Sequence, residues 1–580
     1  MRQVKAKKQI NVGKLLVRLA LIWLIVAFVI YPNLNLLISV FFKNGEFSTD
    51  AFHKILASER ALRSMKNSFI LAFSMLVTVN IVGVLVVLFT EYWKIKGSKL
   101  LKIGYMTSLV YGGVVLVTGY NFIYGSKGIL TRFLTTLIPA LPADWFQGYV
   151  AVIFIMTFAC TSNHIIFLTN AVRSLDYHTV EAAKNMGASG ARILFKIVFP
   201  TLKPTFFAIS ILTFLTGLSA LSAPLIVGGD SFQTINPLIL TFAKSPHSRE
   251  LAALLAVILG IATIIMLTIL NKVEKGGNYI SVSKTKTKIQ KQKINNPALN
   301  ILAHVIAYLL FVIYMVPVII VILLSFTDPL AVKTGDIRLQ NFTVANYAQL
   351  FSKDFAFKPY LVSFAYSLGA AIIVTIIAIA VTRIVYKSKS KLDSLFEYGV
   401  LIPWLLPSTL IALGLMVTYD TPRWIIGNKI LIGTVVLMLV AYVVVKLPFS
   451  FRMIKASFFS IDDNLEEAAK CMGASTLYTM VKVIIPVIMP VILSVIVLNF
   501  NSMLAEYDLS VFLFHPAYQP LGIVVKEANN ATATTQSQAM VFVYTVILMV
   551  ISSLALYFGQ GDGMQHVKKI FKRKKVNESI

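Results

Sequence analysis

The sequence is poor in the residues that build most catalytic and metal centres. It has two cysteines, Cys160 and Cys471, and seven histidines scattered along 580 residues. Two such distant cysteines imply neither a disulfide framework nor a metal cluster. The chain also lacks the GK[ST] of a phosphate loop and the HExxH of a zinc hydrolase. We therefore expect no enzyme, no metal site and no cofactor bound by this chain.

Charge is scarce as well. Charged residues make up 13% of the chain and hydrophobic residues 57%. A soluble protein of this size could not cover so much apolar surface with polar groups. The formal net charge is +28, and the basic residues lie at the ends of apolar runs, where they are expected on the cytoplasmic side of a membrane. The composition therefore predicts an all-α polytopic protein of the lipid bilayer, and no binding of nucleic acid.

Apolar runs divide the chain into about twelve transmembrane helices. These predicted spans cover 15–42, 67–92, 103–123, 148–170, 205–227, 250–271, 298–326, 359–386, 395–418, 430–450, 487–513 and 538–559. Basic residues place residues 1–14 and the tail 560–580 in the cytoplasm. Each half, 1–271 and 298–559, has an even number of spans, which predicts two parallel six-helix repeats about an axis along the membrane normal. We read 272–297 as a flexible, basic cytoplasmic linker lying on anionic headgroups.

A nine-residue motif occurs twice. Glu181–Ser189 reads EAAKNMGAS and Glu467–Ser475 reads EAAKCMGAS, so that a single position differs. The copies are 286 residues apart, and the prolines that follow keep the same offset: Pro200 and Pro204, then Pro486 and Pro490. Such a match marks an internal duplication.

The halves also align before the motif. We match Ser68 with Ser367, at an offset of 299. The offset then falls to 286, mostly because the predicted loop between spans 9 and 10 is shorter than the loop between spans 3 and 4.

Each motif is predicted to form a short surface helix. The lead-ins Ser174–Val180 and Ser460–Glu466 offer N-cap candidates and negative charge. The paired alanines favour a helix and leave one face with little bulk. The glycines are placed to end the helix in a left-handed turn. An ordinary amphipathic connector between spans is the alternative. The residues that we expect to contact another protein are Glu181, Ala182, Ala183, Gly187, Glu467, Ala468, Ala469 and Gly473.

The pattern EAA-x-x-x-G, followed by apolar residues and a proline, resembles the signature of permease subunits of bacterial binding-protein-dependent ABC importers. The following stretches are Ile193–Pro200 and Met480–Pro486. Two motifs in one chain are similar to the fused branch typical of ferric-iron, phosphonate and sugar-phosphate importers. The resemblance implies the type I importer permease fold, the bacterial inner membrane, and cytoplasmic motif loops at 174–200 and 460–486.

The resemblance also implies partners. Each motif helix would seat in one of two copies of a cytoplasmic ABC ATPase, which would bind ATP and Mg. An extracytoplasmic solute-binding protein would deliver the cargo, with ferric iron suggested first, then phosphonates or sugar phosphates, and also polyamines. It would meet the predicted outer loops 43–66, 124–147, 228–249, 327–358, 419–429 and 514–537.

The solute path is expected along the spans that follow each motif. Candidate residues are Ser219, Ser222, Asn499, Asn501, Glu506 and Asp508. Carboxylates in or near a span are costly unless they face water or a partner, so Glu506 and Asp508 either line the path or are solvated at the outer headgroups. For the two asparagines, hydrogen bonding between helices is the favoured interpretation. The span prolines Pro317, Pro403 and Pro407 are expected to kink their helices.

Two other functions fit part of the pattern. A secondary transporter, driven by an ion gradient, shares the duplication and the span count. It would require ionisable groups deep in several spans, which this sequence has in small number, and it leaves the motif unexplained. A membrane scaffold that moves no solute is the third hypothesis.

Overall fold

The computed structural model describes residues 12–43, 46–110, 112–275, 290–334, 338–352, 354–386, 391–530 and 532–560. Most of the predicted N-terminal basic segment, most of the predicted linker and nearly all of the basic tail lie outside these residues.

The regular secondary structure in the described part of the first half is helical, apart from a two-stranded antiparallel ribbon of β1 (Phe42–Lys43) and β2 (Glu46–Phe47). Its α-helices are α1 Val12–Ile25, α2 Tyr31–Phe41, α3 Asp50–Leu56, α4 Glu59–Val87, α5 Ser98–Tyr105, α6 Thr107–Val110, α7 Gly113–Tyr124, α8 Ile129–Leu137, α9 Gly148–Ala159, α10 Thr169–Arg173, α11 Tyr177–Asn185, α12 Gly190–Ile193, α13 Phe199–Leu218, α14 Ser222–Val227, α15 Ile235–Ala243 and α16 Arg249–Lys275.

The second half follows the same plan. Its α-helices are α17 Pro297–Ser325, α18 Pro329–Thr334, α19 Ala345–Ser352, α20 Asp354–Val385, α21 Lys391–Leu401, α22 Ser408–Thr418, α23 Val435–Phe459, α24 Asp463–Cys471, α25 Thr476–Thr479, α26 Ile485–Leu504, α27 Ser510–Leu513, α28 Leu521–Ala528 and α29 Thr535–Gln560. Single turns of π-helix join several helices of both halves: Val26–Ile30, Leu88–Tyr92, His164–Leu168, Leu194–Val198 and Met480–Ile484.

Within the described residues, ten helices are long and apolar enough to cross a membrane without a break. They are Leu15–Phe41, Glu59–Tyr92, Gly148–Arg173, Gly190–Leu218, Arg249–Ile269, Pro297–Ser325, Phe357–Val385, Val435–Phe459, Thr476–Leu504 and Thr535–Tyr557. Two bent pairs of helices are also long and apolar enough when each pair is taken as one span, which gives up to twelve among the described residues. The prediction of an all-α protein with about twelve membrane helices is therefore confirmed.

The predicted spans 103–123 and 395–418 are wrong as continuous helices. The first is Ser98–Val110 followed by Gly113–Leu137 at 113°, and the second is Asp393–Trp404 followed by Ser408–Thr418 at 104°. The second break lies around Pro403 and Pro407, where the missing amide hydrogens interrupt the helix. Pro317, by contrast, lies inside the continuous helix α17.

The spans after the motifs lie earlier in the sequence than predicted. The predicted 205–227 is Gly190–Leu218, and the predicted 487–513 is Thr476–Leu504. Each begins directly after its motif and passes through a π-turn before its first proline. The π-turn carries the helix into Pro200 and Pro486, which lack a backbone donor. Each span therefore begins before its first proline, and not after it as the predicted bounds 205–227 and 487–513 had it.

Two predicted outer loops contain buried helices. Six residues of α15, Ile235 to Leu240, are buried, and α28 is mostly buried as well. The amide of Ile235 donates a 2.8 Å hydrogen bond to Ser68 Oγ, and the amide of Leu521 donates a 2.8 Å hydrogen bond to Ser363 Oγ. Stretches 228–249 and 514–537 are therefore not simple exposed connections, because their central helices are packed in the core.

These two hydrogen bonds also correct the alignment of the halves. Ile235 and Leu521 are 286 residues apart, so their shared donor role makes Ser363 the counterpart of Ser68. The matching of Ser68 with Ser367 is wrong by four residues. Four residues are close to one helical turn of 3.6 residues, so both alignments place the same face inward and apolar periodicity does not separate them.

The first span of each half packs on the other half. In the first half, Asn35 donates to Thr418 Oγ1 at 3.0 Å and Arg18 pairs with Asp393 at 3.0 Å. The first span of the second half, α17, contacts α5 and α7 of the first half, and the Tyr105 hydroxyl donates to the carbonyl of Ala307 at 2.7 Å. The first span of each half therefore packs against helices of the other half, and these reciprocal contacts hold the two halves together.

The described end of the predicted linker, from residue 290, contacts the protein. Gln292 is buried and donates from its amide to the carbonyl of Tyr92 at 2.7 Å, and its own carbonyl accepts from the Lys94 amide at 2.9 Å. Lys291 Nζ donates to Ser98 Oγ at 2.7 Å. This part of the linker is therefore fixed on the first half, whereas we had predicted a flexible segment on lipid headgroups.

Candidate functional site

The two motif helices, α11 and α24, begin and end in the same way. Asp176 caps α11 by accepting from the His178 amide at 3.1 Å, and Asp462 caps α24 by accepting from the Asn464 amide at 3.0 Å. The predicted acidic N-caps are therefore present in both halves.

Each motif helix ends at its glycine. Gly187 and Gly473 both have φ of 79°, in the left-handed region. The amides of Ala188 and Ala474 donate across the turn to the carbonyls of Ala183 and Ala469, each at 3.0 Å. This six-to-one hydrogen bond is the Schellman arrangement, which favours glycine. The predicted left-handed stop is confirmed.

The last residue of the motif starts the next helix. Ser189 accepts from the Arg192 amide at 3.3 Å, and Ser475 accepts from the Tyr478 amide at 3.2 Å. The motif thus encodes a helix, a glycine stop and a serine N-cap, which together set the angle between each short surface helix and the long span behind it.

The outward face of each helix carries the same residues. Ala182 and Ala468 are exposed, as are Glu181 and Glu467. Ala183 and Ala469 are buried against their own halves, so a single alanine of each pair lies on the outward face. The methionines at the next helical turn, Met186 and Met472, are each 81% exposed. No side chain lies within 4 Å of where a Cβ would be on Gly187 or Gly473.

In the first half, α11 is held by an apolar contact and a neighbouring ion pair. Val180 and Leu88 belong to one cluster of buried side chains. Glu91 pairs with Arg173 at 2.8 Å and with Lys102 at 2.6 Å.

In the second half, the corresponding position of α24 carries charge. Glu466 is buried and accepts from Arg383 at 2.7 Å, and Lys470 lies 3.2 Å away. The hydrogen bonds from Arg383 are the main reason that the pKa of Glu466 is lowered to about 2, and Lys470 adds to the effect against the opposing influence of burial. These ion pairs were not predicted, and their signal in the sequence is a charged residue inside an apolar run, such as Arg383 in RIVYK.

The candidate path residues Ser222 and Asp508 meet in space. They are equivalent positions of the two halves, and Ser222 Oγ donates to Asp508 Oδ1 at 2.5 Å. Glu506 caps α27 by accepting from the amides of Leu509 and Ser510 at 2.6 Å and 3.1 Å. Both carboxylates are therefore engaged inside the protein rather than only solvated at its outer edge.

A cavity of about 340 Å³ lies beside these carboxylates. Its walls come from the break between α6 and α7 and from the spans Gly148–Arg173, Thr476–Leu504 and Thr535–Tyr557. The cavity therefore lies between the halves. Its polar lining residues are Ser108, Ser162, Asn501, Ser502, Glu506, Tyr507, Asp508 and Ser552, and it includes no Lys, Arg or His among the described residues.

Of the other residues predicted for the solute path, one lines the cavity and the others do not. Asn499 is buried and donates to Ser450 Oγ on α23 at 2.7 Å. Asn501 donates to the carbonyl of Ser552 on α29 at 3.2 Å and also lines the cavity. Ser219 ends α13 and is not a lining residue. The sequence interpretation missed Ser108 and Ser162, which come from spans 3 and 4, because it sought the path after the motifs alone.

Comparison with known proteins places this geometry in a family. A family model described as the binding-protein-dependent transport system inner membrane component matches residues 55–275 and 373–560. A probable ABC transporter permease protein of Sinorhizobium fredii is 35% identical over 92% of this chain and 93% of its own length. The ferric transport system permease protein FbpB of Actinobacillus pleuropneumoniae is 24% identical over 85% of this chain and 71% of its own.

Among solved structures, a bacterial ABC transporter involved in the import of the acidic polysaccharide alginate is similar, at 17% identity and a TM-score of 0.40. The match covers 46% of this chain and 95% of that chain. The family model matches two segments, one in each half, and together they span more than half of the sequence. The chain therefore belongs to the binding-protein-dependent transport system inner membrane components, as the permease subunit of an ABC importer in which two family segments are fused.

Proposed function

We propose that this permease moves a cationic solute, with ferric iron as the first candidate, through the cavity beside Glu506 and Asp508. An extracytoplasmic solute-binding protein delivers the solute. Two copies of a cytoplasmic ABC ATPase, which bind ATP and Mg, drive the halves through α11 and α24. The observation that carries the choice of solute is the pair of carboxylates on a cavity whose described lining has no basic residue.

The charge of the cavity favours a cation over the anionic alternatives. Phosphonates and sugar phosphates would approach two carboxylates without a basic lining residue to offset the repulsion, and like charges at close range cost several kcal/mol in a weakly screened site. Lys446 also interacts electrostatically with Glu506, but it is not a lining residue. The sequence similarity to a ferric permease supports the same choice.

The oxygen atoms that line the cavity suit transient binding of a cation during transport rather than tight binding. The polar lining offers carboxylate, amide and hydroxyl oxygens. No group of three or more His, Cys, Asp or Glu that could hold a metal ion occurs among the described residues. Conduction requires binding that is weak enough for release, so two carboxylates without a third ligating acid are compatible with a transient cation.

The outward faces of the motif helices support the role of the ATPase. Glu, Ala and Met occupy the same outward positions in α11 and α24, although the buried contacts of the two helices differ. The two motif helices present the same outward residues although their buried contacts differ. This fits two copies of the same ATPase, one bound to each helix.

Uptake of radioactive iron into proteoliposomes that contain the assembled importer would test the solute. We expect Asp508→Asn and Glu506→Gln each to reduce uptake about tenfold, while ATP hydrolysis by the complex remains. Asp420→Asn is the control, because this carboxylate pairs with Arg249 and does not line the cavity. Unchanged iron uptake in both cavity variants, or uptake of a phosphonate that rises in them, would contradict the proposal.

The rival driven by an ion gradient makes a different prediction. The family match favours the ATP-driven mechanism. We expect uptake to stop when the ATPase is omitted and to continue when proton and sodium gradients are collapsed. Uptake without ATPase would support the rival, and stable assembly without any solute movement would support the scaffold hypothesis.

A further inference from the structure

A second cavity lies at the end of the spans, beside the first motif. Its volume is about 830 Å³. One wall comes from the turn after α11 and the start of the following span, and the other from the end of the linker and the start of α17. We name this space the linker groove. Its lining includes Lys184, Ser189, Phe195, Lys293, Leu299 and Leu302.

The linker groove is amphipathic. Its lining includes Lys184 and Lys293 with Ser189, Asn295 and Asn296, and it has no acidic lining residue among those described. The lining also includes apolar side chains that remain open to the surroundings: Phe195 is 64% exposed, Leu299 56% and Leu302 52%. In a membrane-spanning helix such exposed apolar side chains face acyl chains.

The lysines of the groove have no ion-pair partner among the described residues. The counterpart of Lys184 in the second half differs: Lys470, which is 286 residues after Lys184, lies 3.2 Å from Glu466. Lys291, which precedes Lys293 in the linker, is itself surrounded by charged side chains. Burial lowers the pKa of Lys291, and Lys102, Arg173 and Lys99 lower it further, although Glu91 opposes them.

From this combination we infer that the linker groove binds one anionic phospholipid. Its phosphate lies between Lys184 and Lys293, and its acyl chains lie along Phe195, Leu299 and Leu302. A lipid so placed bridges the first motif loop and the linker, and thus the first half and α17. The ends of the spans are at headgroup depth, where a basic residue near an anionic lipid contributes about 1 kcal/mol.

A second apolar groove continues this surface. About 810 Å³ in volume, it shares Leu85, Trp93, Leu194 and Phe195 with the linker groove. Its lining includes one lysine, Lys203, and is otherwise almost entirely apolar. The four shared residues line both spaces. The apolar part of the linker groove therefore continues into the second groove, whose apolar lining we expect to face acyl chains.

Native mass spectrometry of the purified full chain tests the proposal. We use phosphatidylglycerol, phosphatidylcholine with the same acyl chains, and glycerol phosphate as probes. We expect one phosphatidylglycerol to be retained with at least tenfold preference over phosphatidylcholine, and no retention of glycerol phosphate. Equal retention of both lipids would overturn the choice of an anionic headgroup, and retention of glycerol phosphate would show a phosphate site without acyl-chain recognition.

Variants locate the lipid. Lys184→Gln with Lys293→Gln should lower phosphatidylglycerol affinity about 25-fold, because each lysine is expected to contribute about fivefold. Leu302→Trp, which fills the apolar part, should lower the binding of every lipid. Lys470→Gln is the matched control and should leave the affinity unchanged.

Brominated phosphatidylglycerol gives an independent readout of position. Trp93 lines the linker groove, so brominated acyl chains should quench part of the tryptophan fluorescence, and this part should be lost in Trp93→Phe. Full lipid affinity in the double lysine variant, or quenching that is unchanged without Trp93, would overturn the proposed site. Elution as a monodisperse peak shows for each variant that folding is retained.

Discussion

The two halves attach their motif helices to the rest of the fold with opposite chemistry. Leu88 and Val180 of the first half are apolar, whereas the equivalent pair of the second half is Arg383 and Glu466, 2.7 Å apart. One turn further along the second span of each half, opposite the end of the helix that precedes the motif helix, the order is reversed. The first half has Glu91 and Arg173 at 2.8 Å, and the second half has Tyr386 and Phe459 with ring centroids 5.4 Å apart.

This reversal shows what the duplication has kept and what it has changed. Each half has one polar and one apolar contact between its second span and the segment that contains its motif helix. The contact at the motif helix is apolar in the first half and polar in the second, and the contact one turn further along the second span is polar in the first half and apolar in the second. The outer face of the motif, the glycine stop and the serine cap are the same in both copies. Geometry presented to a partner is therefore retained, while the buried support is free to vary because a well-packed apolar pair and a satisfied ion pair can have similar stability.

The largest expected effect concerns the part that is the same in both halves. Gly187→Arg and Gly473→Arg should each reduce uptake at least a hundredfold, because a non-glycine residue at φ of 79° is strained by about 1–2 kcal/mol and the long side chain projects from the outward face. Proteoliposome uptake and membrane content measure the effect. Gly187→Ala and Gly473→Ala carry the strain without the bulk and should lose less. Normal uptake in the double arginine variant would remove the coupling role.

The second prediction breaks the ion pair of the second half. Arg383→Leu should destabilise the protein by about 2–3 kcal/mol, since it leaves Glu466 buried with Lys470 as its remaining cation. Thermal unfolding of the purified protein measures this loss. The double variant Arg383→Leu with Glu466→Val installs the residues of the first half and should recover most of it. A double variant that is as unstable as the single one would mean that the two contacts are not interchangeable.

The third prediction concerns the ion pair of the first half and is smaller. Arg173→Phe, which installs the residue found at 459, should destabilise by about 1 kcal/mol, because Glu91 keeps Lys102 at 2.6 Å and Arg173 itself is 55% exposed. The same thermal assay applies, with Arg63→Phe as a control for the loss of an exposed arginine. A loss larger than that of Arg383→Leu would reverse the proposed ranking of the two halves.

The fourth prediction is a dependence on pH that comes from Glu466 of the second half. The carboxyl of Glu466 has a lowered pKa of about 2 against an ordinary value of 4.5. It therefore contributes stability above pH 4.5 that is lost as the pH falls toward 2. We expect the thermal midpoint of the parent protein to fall more steeply across this range than that of the Arg383→Leu, Glu466→Val variant. If the thermal midpoints of the two proteins fell equally with pH, the contribution assigned to Glu466 would be contradicted.

Local chemistry was the part of the fold that sequence reasoning could predict. The acidic caps and the left-handed glycines follow from nine residues and their neighbours, and Gly187 and Gly473 confirm them. Twelve membrane crossings follow from apolar length. The break near Val110 was missed because a hydropathy pattern records how apolar a run is and not its direction, whereas the bend at Pro403 and Pro407 agrees with the kink expected from these prolines.

Tertiary relations were harder for a physical reason. Ser363 and Ser367 lie one turn apart on the same face, so a hydrogen-bond donor from another helix is needed to choose between them. Likewise, Ser222 and Asp508 align at the same offset as the motifs, but only the packing of the two halves shows that they touch. Apolar periodicity gives the inward face of a helix and leaves its partner open.

The reciprocal placement of the first spans has a consequence for how this polypeptide could be divided. Because α2 contacts the second half and α17 contacts the first, we expect the halves to stay together without the connection through residues 276–289. If the chain were expressed as two separate fragments divided within residues 276–289, the first span of each fragment would still pack on the other fragment. The two fragments should therefore assemble into a working importer. In this architecture, joining two genes into one or splitting them again leaves the membrane-embedded interface unchanged.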